Sequence, residues 1–409
     1  MGAIDILTAK TRAQAAAMAH RWPAKNMQVI LVSGADGSEL TVAALAFMLR
    51  THGQKVGSVT SQFIEIAGER AEGSDQADVL GDPFRMQALL AQMRRAGCQT
   101  VIIEVLHQMP PHGFAGIQPT MVISRRNGDS RLPESYSAGR KALWQRMLNL
   151  HPKFVAANRD DPAYVSSTAQ AEITTMTFGA HEKAECRITQ VDMRPKGCLV
   201  TLTVDHQTEL KLAFAATGKT AIYSFVAAAS AAYLLHVPIG IIENSTLALP
   251  HSQGVLQYAS VERPYQIALD TNITPDGLAE SLEALKNFTK NRLIVVIGAS
   301  LSQPAQWRPA IGELVAGFAD RIIITDGEHT AEEAAQVVRQ QLLQGITAVN
   351  ADARTDEIPD REAALEKALS IARRGDTIAI LASTRRPYRQ LGSERLPWSD
   401  AQKLEELLS

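Results

Sequence analysis

The chain has 409 residues, of which 45% are apolar and 5% are aromatic. That length fits two or three globular domains with sizeable cores, and the composition argues against extensive disorder. Its 41 basic and 43 acidic residues leave a formal charge of −2. No field of one sign is therefore available to hold nucleic acid or an anionic membrane surface, so we expect no nucleic-acid partner.

The cysteines and the apolar segments indicate the compartment. Cys98, Cys186 and Cys198 have neither the number nor the spacing of a disulfide framework or a zinc site. A bond between Cys186 and Cys198 is one option, and buried free thiols are the favoured interpretation. The N-terminal region lacks the apolar core of a signal peptide, and the apolar stretch 221–237 is too short and too polar for a membrane span. We predict a cytoplasmic protein without a membrane span.

The first half of the chain has the pattern of a parallel α/β unit. A β-branched run at 29–33, a glycine turn, an apolar helix at 40–49 and a strand at 55–59 follow one another. Such units build parallel sheets with ligands at the carboxyl ends of the strands. Alternating residues from 188 to 212 predict an antiparallel hairpin. The other predicted elements are a helix at 84–95 that ends at Gly97, strands at 100–105, 121–124 and 153–157, and a helix at 220–235.

A second α/β alternation follows a segment that contains Pro250 and Pro264. We therefore predict an α/β fold, in which a phosphate-loop-type domain with a parallel sheet precedes a smaller doubly wound α/β domain. The predicted divisions are an N-terminal helical extension at 1–27 and domains at 28–250 and 262–409, with a substrate cleft between the domains. The predicted elements of the smaller domain are strands at 266–270, 293–298, 321–325 and 377–381, and helices at 275–288, 309–318, 331–343 and 361–374.

The turn after the first strand has the position of a phosphate loop. In such loops, backbone N–H groups converge on phosphate oxygens at a helix N-terminus. A lysine for the β and γ phosphates follows the second glycine, and a Ser or Thr for magnesium comes next. Here those positions hold Ser38 and Glu39, and a carboxylate opposes polyphosphate. The turn is either a nucleotide loop or an ordinary strand-to-helix turn, and its candidate residues are Gly34, Asp36, Gly37, Ser38 and Glu39.

Several motifs in a fixed order cover most of the chain. They are Gly34–Leu40 in the phosphate loop, Val101–Gln108 at a strand end, Asn158–Pro162, Asp270–Asp276 and Arg308–Pro309. In order and spacing these segments resemble the Mur ligases, the ATP-dependent enzymes that join amino acids to the peptidoglycan precursor. The resemblance extends from about Val29 to Gln390. It implies a central and a C-terminal Mur-ligase-type domain.

The resemblance also implies a chemistry. In that family ATP phosphorylates a carboxylate and an amine attacks the acyl phosphate, which requires magnesium ligands and stabilising cations. Glu104 matches the magnesium carboxylate, whereas the histidine four positions on is Gln108, with His107 one position early. The carbamylated lysine position falls on Arg140, or on Lys141 if the register shifts by one. A guanidinium stays protonated and is not expected to be carbamylated.

Other positions of the family pattern are changed as well. Two asparagines that contact nucleotide correspond to Ala221 and Ser224, shortly after Lys219, and a motif histidine is Ile273. Only about 28 residues precede the first strand, so we expect no separate domain for the uridine nucleotide. Recognition of diaminopimelate is not supported. Further catalytic and cleft candidates that the motifs place are Lys219, Asn158, Asp160, Asp161, Asp270 and Arg308.

Three hypotheses for function follow. The leading one is a Mur-ligase-fold protein whose ligase activity is lost or altered and which binds or assembles with a partner in a biosynthetic pathway, cell-wall synthesis among the options. The second is a divergent ligase that uses ATP and magnesium to form an amide through an acyl phosphate. The third is a structural or regulatory role in a complex.

We expect ATP and magnesium only if ligase activity survives, and otherwise no cofactor. The partner is an unidentified protein, or a small carboxylate or amino-acid ligand. A divergent ligase would need cations from outside the loop, and we expect most of the candidates to be solvated surface charges. They are Arg125, Arg126, Arg140, Lys141, Lys219, Arg308, Arg385 and Arg386.

Overall fold

The computed structural model contains two separate large β-sheets and the helices that cover them. Residues 14–19 are helical, and Pro23–Asn26 form a 3-10 turn before the first strand. For residues 76–78 and 134–137 the structure describes the backbone alone. The structure describes residues 11, 14–34, 36–71, 76–106, 109, 114, 116–125, 134–161, 173–249, 256–259, 263–301, 303–349, 355–382 and 388–409.

The larger sheet has eleven strands, and its centre is parallel. Strand β1 (Gln28–Ser33) pairs in parallel with β5 (Thr100–Val105) on one side and with β6 (Met121–Ser124) on the other. The sheet order is β11-β10-β9-β8-β7-β6-β1-β5-β2-β3-β4, and the remaining strands are β2 (Val56–Val59), β3 (Ile64–Ile66), β4 (Glu69–Arg70), β7 (Phe154–Asn158), β8 (Thr174–Gly179), β9 (Cys186–Arg194), β10 (Gly197–Val204) and β11 (Thr208–Phe214).

Both faces of the larger sheet are covered, which explains why β1 is an uninterrupted apolar run. Ile30 and Val32 enter the core on one face, and Val29 and Leu31 enter the core on the other. Helices contribute to both cores. They are α1 (Ser38–Thr51), α2 (Gln76–Gly81), α3 (Pro83–Arg95), α4 (Glu134–Leu148), α5 (Lys219–Leu234) and α6 (Ile239–Ala248).

The smaller sheet has six strands in the order β12-β13-β17-β14-β15-β16. Only β12 runs antiparallel to its neighbour, so the centre of this sheet is again parallel. A separate hairpin follows it. The bounds are β12 (Leu256–Tyr258), β13 (Gln266–Asp270), β14 (Leu293–Ile297), β15 (Arg321–Ile324), β16 (Thr355–Glu357), β17 (Thr377–Leu381), and the hairpin β18 (Tyr388–Leu391) and β19 (Glu394–Pro397).

Helices with distinct capping residues surround the smaller sheet. Thr274 is the N-cap of α7 (Pro275–Phe288), and its hydroxyl accepts a hydrogen bond from the Gly277 N–H. Arg361 and Asp400 form a buried bidentate ion pair at 2.7 and 2.8 Å that joins the last two helices. The other helices are α8 (Arg308–Phe318), α9 (Ala335–Val349), α10 (Arg361–Ile371) and α11 (Asp400–Leu408).

The predicted fold class is confirmed, and most elements lie within a few residues of their predicted positions. The hairpin predicted from 188 to 212 is present as β10 and β11, and both strands extend the larger sheet. The cysteines are free and buried, so the alternative of a Cys186–Cys198 bond is wrong. The domain boundaries at 27, 250 and 262 stay a prediction. Within the described ranges no helix has both the length and the apolar character needed to cross a bilayer.

The helix predicted at 331–343 is displaced, and close packing explains the difference. Helix α9 continues through Gly345, a residue type that commonly ends helices. A Cβ atom on Gly345 would lie 2.7 Å from the Pro309 carbonyl carbon, and one on Gly312 would lie 3.0 Å from the Leu342 carbonyl carbon. The two glycines therefore let α8 and α9 touch backbone to backbone, and contact between the helices outweighs the low helix propensity of glycine.

This contact makes a stability prediction. We expect Gly345→Ala to lower the free energy of unfolding by about 1–3 kcal/mol, because the added methyl group overpacks the contact with Pro309. The matched control is Gly317→Ala in α8, where nothing lies within 4 Å of the new Cβ. That change is expected to raise stability by up to about 1 kcal/mol, through helix propensity. Urea denaturation measures both, and equal effects of the two substitutions would contradict the packing account.

Candidate functional site

The turn between β1 and α1 is packed against the start of α5. Gly37 has φ 85° and precedes the first residue of α1. A Cβ atom there would lie 2.5 Å from Ser224 Oγ and 2.8 Å from Thr220 Cγ2, so the close approach requires glycine. Ser224 Oγ also donates a hydrogen bond to the Gly37 carbonyl at 2.9 Å. Gly37 is thus needed because α5 packs closely against the turn.

Ser38, which stands where a phosphate loop has its lysine, hydrogen-bonds to Glu104. The β1–β5 register places Val32 beside Glu104, so the carboxylate of β5 lies next to the turn. Ser38 Oγ donates to Glu104 Oε1 at 2.5 Å, and the Ser61 N–H donates to Oε2 at 2.6 Å. Glu104 is only 2% exposed. Burial raises the pKa of Glu104, and the negative charge of Glu39 raises it further.

Asp36 contacts the segment that joins β13 to α7 in the smaller unit. Its carboxylate accepts hydrogen bonds from the Ile273 N–H at 2.8 Å and from the Thr274 N–H at 3.2 Å. The Thr274 hydroxyl donates a further, short hydrogen bond to the same carboxylate. Burial raises the pKa of Asp36, whereas the hydrogen bonds and the nearby Arg125 oppose that rise. A loop carboxylate therefore joins the two sheets.

One cation reaches the turn from the neighbouring strand. Arg125 directly follows β6, and its N–H donates to the Ser33 carbonyl at 2.9 Å. Its guanidinium carbon would lie 3.6 Å from a Cβ on Gly37, and the residue is only 3% exposed. Arg125 is therefore a candidate cation that is buried at the turn and not a solvated surface charge. Because β6 lies beside β1, the residue after β6 lies next to the turn.

The Asn158–Pro162 motif organises the ends of adjacent strands. Asn158 Nδ2 donates to the Arg125 carbonyl at 2.8 Å. The Asp160 carboxylate accepts hydrogen bonds from the Ala180 N–H at 2.7 Å and the Tyr223 hydroxyl at 2.6 Å. It also accepts one from the His181 N–H at 2.8 Å. Asp160 thus ties the end of β8 to α5, while Asp161 is buried beside it.

The remaining candidates are spread over both sheets. Arg140 is buried on α4, whereas Lys141 and Lys219 are exposed. Arg308 is buried and ion-paired with Glu333 at 2.8 Å, so it holds α8 to a neighbouring segment instead of projecting into solvent. Arg140 and Arg308 are thus buried candidates as well, whereas the expectation that most of the eight are solvated stays a prediction. Asp270 is fully buried at the end of β13. Predictions for His107, Gln108, Arg126, Arg385 and Arg386 lie outside the described residues.

These residues do not fit ATP with magnesium. The lysine position is filled by a hydroxyl that donates to Glu104, and the carboxylate that would hold the metal already accepts two hydrogen bonds. Ala221 and Ser224, at the positions of nucleotide-contacting asparagines, are fully buried. In the part of the chain that the structure describes, no three His, Cys, Asp or Glu side chains are grouped closely enough to hold a metal ion.

Fold and site together define a two-sheet α/β protein built around a phosphate-loop-type turn. Residues 256–384 match the family described as "Mur ligase, glutamate ligase domain". The UDP-N-acetylmuramoyl-L-alanyl-D-glutamate–2,6-diaminopimelate ligase of Halalkalibacterium halodurans is 23% identical over 401 residues, which cover 96% of this chain and 80% of that protein. The chain is therefore similar to the Mur ligases over most of its length, and the resemblance predicted from its motifs is confirmed.

Solved structures agree on the fold. The folylpolyglutamate synthase of Mycobacterium tuberculosis, solved with ADP and AMPPCP, has a TM-score of 0.74 at 13% identity, covering 98% of this chain and 95% of that one. A UDP-N-acetylmuramoyl-L-alanyl-D-glutamate–2,6-diaminopimelate ligase has a TM-score of 0.64 at 17% identity, covering 98% and 82%. Both likenesses concern the fold alone.

Sequence reasoning missed two residues of this site and did not distinguish a third from other candidates. Thr274 donates a hydrogen bond to Asp36 and Gly277 leaves room for its carboxyl group, although both residues are more than two hundred positions away in sequence. Arg125 was only one of eight candidate cations. Its place one residue after a buried strand was a usable signal, because strand ends at one edge of a parallel sheet lie together. No local signal linked Asp36 to Thr274.

The buried carboxylate makes a pH prediction. Because the pKa of Glu104 is raised in the folded protein, the stability that it contributes falls as pH rises from the ordinary glutamate value through the raised one. Glu104→Gln removes this titration, and the Ser38 hydroxyl can turn to accept from the new amide. We expect the variant to exceed the parent in stability at about pH 8, with the difference in free energy of unfolding closing on acidification.

Chemical denaturation across a pH series measures this effect. Glu104→Ala is the comparison variant, because it leaves the Ser38 hydroxyl and the Ser61 N–H without their acceptor. It should be destabilised at every pH. A Gln variant that is less stable than the parent, by an amount that grows with pH, would show that an ionised Glu104 is favoured and would overturn this assignment.

Proposed function

We propose that this chain is a Mur-ligase-fold protein that does not use ATP at its phosphate loop and that acts by binding instead of by amide-bond formation. The observation that carries the proposal is the hydrogen bond from Ser38 to the buried Glu104, at 2.5 Å. In a nucleotide-binding site the position of Ser38 holds a lysine and that of Glu104 holds a metal-binding carboxylate. Here Ser38 donates its hydrogen bond to Glu104, and no lysine is present from Gly34 to Glu39.

The balance of charge supports the same conclusion. Among the described residues, the acidic side chains of Asp36, Glu39 and Glu104 lie around the turn together with the guanidinium of Arg125. Polyphosphate carries several negative charges, so the carboxylate of Glu39 and any ionised fraction of the two buried groups oppose its binding. A contact of the lost kind is worth about 3–4 kcal/mol of transition-state stabilisation, and its loss leaves little ligase activity.

The proposed role is that of a binding or assembly partner in a biosynthetic pathway. The relatives are named as ligases that act on peptidoglycan precursors, which supports a place near that chemistry. The ligand is a protein, or a small carboxylate or amino acid held between the two sheets. The proposed compartment is the cytoplasm, in keeping with three free, buried cysteines.

Isothermal titration with magnesium ATP tests the proposal. We expect no binding by the parent protein at ligand concentrations up to about 1 mM, a limit that corresponds to about −4 kcal/mol. The comparison variant is Ser38→Lys with Glu39→Thr, which replaces a hydroxyl and a carboxylate with the lysine and hydroxyl of a phosphate loop. It is expected to bind at least about tenfold more tightly than the parent, a change of about 1.4 kcal/mol. Micromolar binding by the parent would refute the proposal.

A second function has one observation in its favour. Arg125 is buried next to Gly37, where it brings positive charge to the turn from outside the loop. A divergent ligase would use this guanidinium in place of the missing lysine, since arginine binds phosphate oxygens in a bidentate manner. In that case ATP would activate a small carboxylate for attack by an amine. Lys219 and Lys141 are weaker candidates, because both side chains are exposed.

Release of ADP and phosphate distinguishes the two functions. The protein is incubated with magnesium ATP and a panel of amino acids and small carboxylates. We expect no release above background. Release that Arg125→Met abolishes, in a variant whose unfolding curve shows it to be folded, would establish the divergent ligase instead. Release that Arg125→Met leaves unchanged would point to a contaminating enzyme.

A further inference from the structure

A contact between distant parts of the chain lies at the centre of the molecule. Asp36, in the turn before α1, meets the N-terminus of α7, and 237 positions separate Asp36 from Ile273. Oδ1 accepts from the Ile273 N–H at 2.8 Å, and Oδ2 accepts from the Thr274 N–H at 3.2 Å and from the Thr274 hydroxyl. Both carboxylate oxygens are therefore used by the other sheet's segment.

Room for this contact depends on a glycine. A Cβ atom on Gly277 would lie 2.8 Å from Asp36 Cγ and closer still to Oδ2. Any other residue at position 277 would thus displace the carboxylate. Gly277 lies in the first turn of α7, where a glycine lowers helix propensity. The close approach of Asp36 explains why a glycine is accommodated there.

The segment that receives Asp36 is held rigidly. Thr274 donates its hydroxyl proton to Asp36 and accepts from the Gly277 N–H at 3.1 Å, so its hydroxyl orientation is set. Asn272 Nδ2 donates to the Gly277 carbonyl at 3.1 Å, and Gln303 Nε2 donates to the Ile273 carbonyl at 2.9 Å. The donor groups that face Asp36 are therefore also positioned by contacts that do not involve Asp36.

A second hydrogen bond joins the same two regions. Thr220 Oγ1, at the start of α5, donates to Glu280 Oε2 on α7 at 2.9 Å. Thr220 also packs against Gly37, the residue that follows Asp36. The two contacts are thus neighbours, and both connect helices or turns of the larger sheet to α7.

The position of Asp36 is one that an external anion would otherwise take. The N-terminus of a helix presents unpaired N–H groups and a positive dipole end, which favour negative charge. Here a carboxylate of the chain itself fills that place and is 8% exposed. We propose that Asp36 is an internal ligand for the N-terminus of α7, which latches the smaller sheet onto the phosphate-loop turn and holds the two sheets together with no nucleotide bound.

Distances between two spin labels test the latch. Leu247→Cys on α6 and Val337→Cys on α9 introduce exposed labelling sites, while the native cysteines are free but buried. In nucleotide-free protein with the native turn we expect one narrow distance distribution. Asp36→Ala is expected to broaden it and to add longer distances, because the sheets lose their central link. The matched control is Gly317→Ala, which fills open space and should leave the distribution unchanged.

A double-mutant cycle tests whether the broader distance distribution results from loss of the contact between Asp36 and the start of α7. Gly277→Ala should broaden the distribution as Asp36→Ala does, since its methyl group displaces the carboxylate. In the Asp36→Ala background the same methyl group meets no carboxylate, so adding it should change nothing further. Effects that simply add would contradict a shared mechanism.

Other outcomes decide against the latch. An Asp36→Ala variant that is folded and keeps the narrow distribution would overturn it. If that variant does not fold, Thr274→Val and Thr274→Ser replace it, because serine keeps the hydroxyl that donates to Asp36 and valine does not. Identical distributions for these two would also overturn the latch. The measurement uses no nucleotide, so its failure is distinguishable from failure of the proposed function, which depends on ATP titration.

Discussion

A buried carboxylate without a lysine beside it governs the architecture of this site. Glu104 ends up inside the protein because β5 is paired with β1 along its whole length, and the sequence of the turn supplies no cation for it. Burial instead raises the pKa of Glu104, and the Ser38 hydroxyl and the Ser61 N–H donate hydrogen bonds to its carboxyl group. Both donors are thereby engaged by Glu104 in this structure.

The other charged groups of the turn are likewise committed to the protein itself. Asp36 is bound by the N-terminus of α7, and Arg125 is packed against Gly37. Ser224 closes the remaining side through its hydrogen bond to the Gly37 carbonyl. The turn keeps the position of a phosphate loop, between a buried parallel strand and a helix. The carboxyl group of Asp36 joins this turn to the segment between β13 and α7.

Local patterns predicted the fold well and the site only in part. The β-branched run of β1 and the alternation in β10 and β11 determine strands through side-chain burial, which a sequence displays directly. Helix α9 was displaced because Gly345 is set by contact with Pro309, a property of two helices and not of one. Asp36 was recognised as a loop residue, but its partner Thr274 depends on how the sheets meet. The position of Arg125 beside the turn follows from the pairing of β6 with β1, and the spacing of motifs along the sequence does not give that pairing.

The most direct measurement is a crystal structure grown with magnesium and a non-hydrolysable ATP analogue. The account predicts that Ser38 still donates to Glu104, that Ser61 still donates to the other oxygen, and that no triphosphate density lies against the turn. Phosphate groups bound by the N–H groups of residues 36–39, with Glu104 turned toward a magnesium ion, would contradict it.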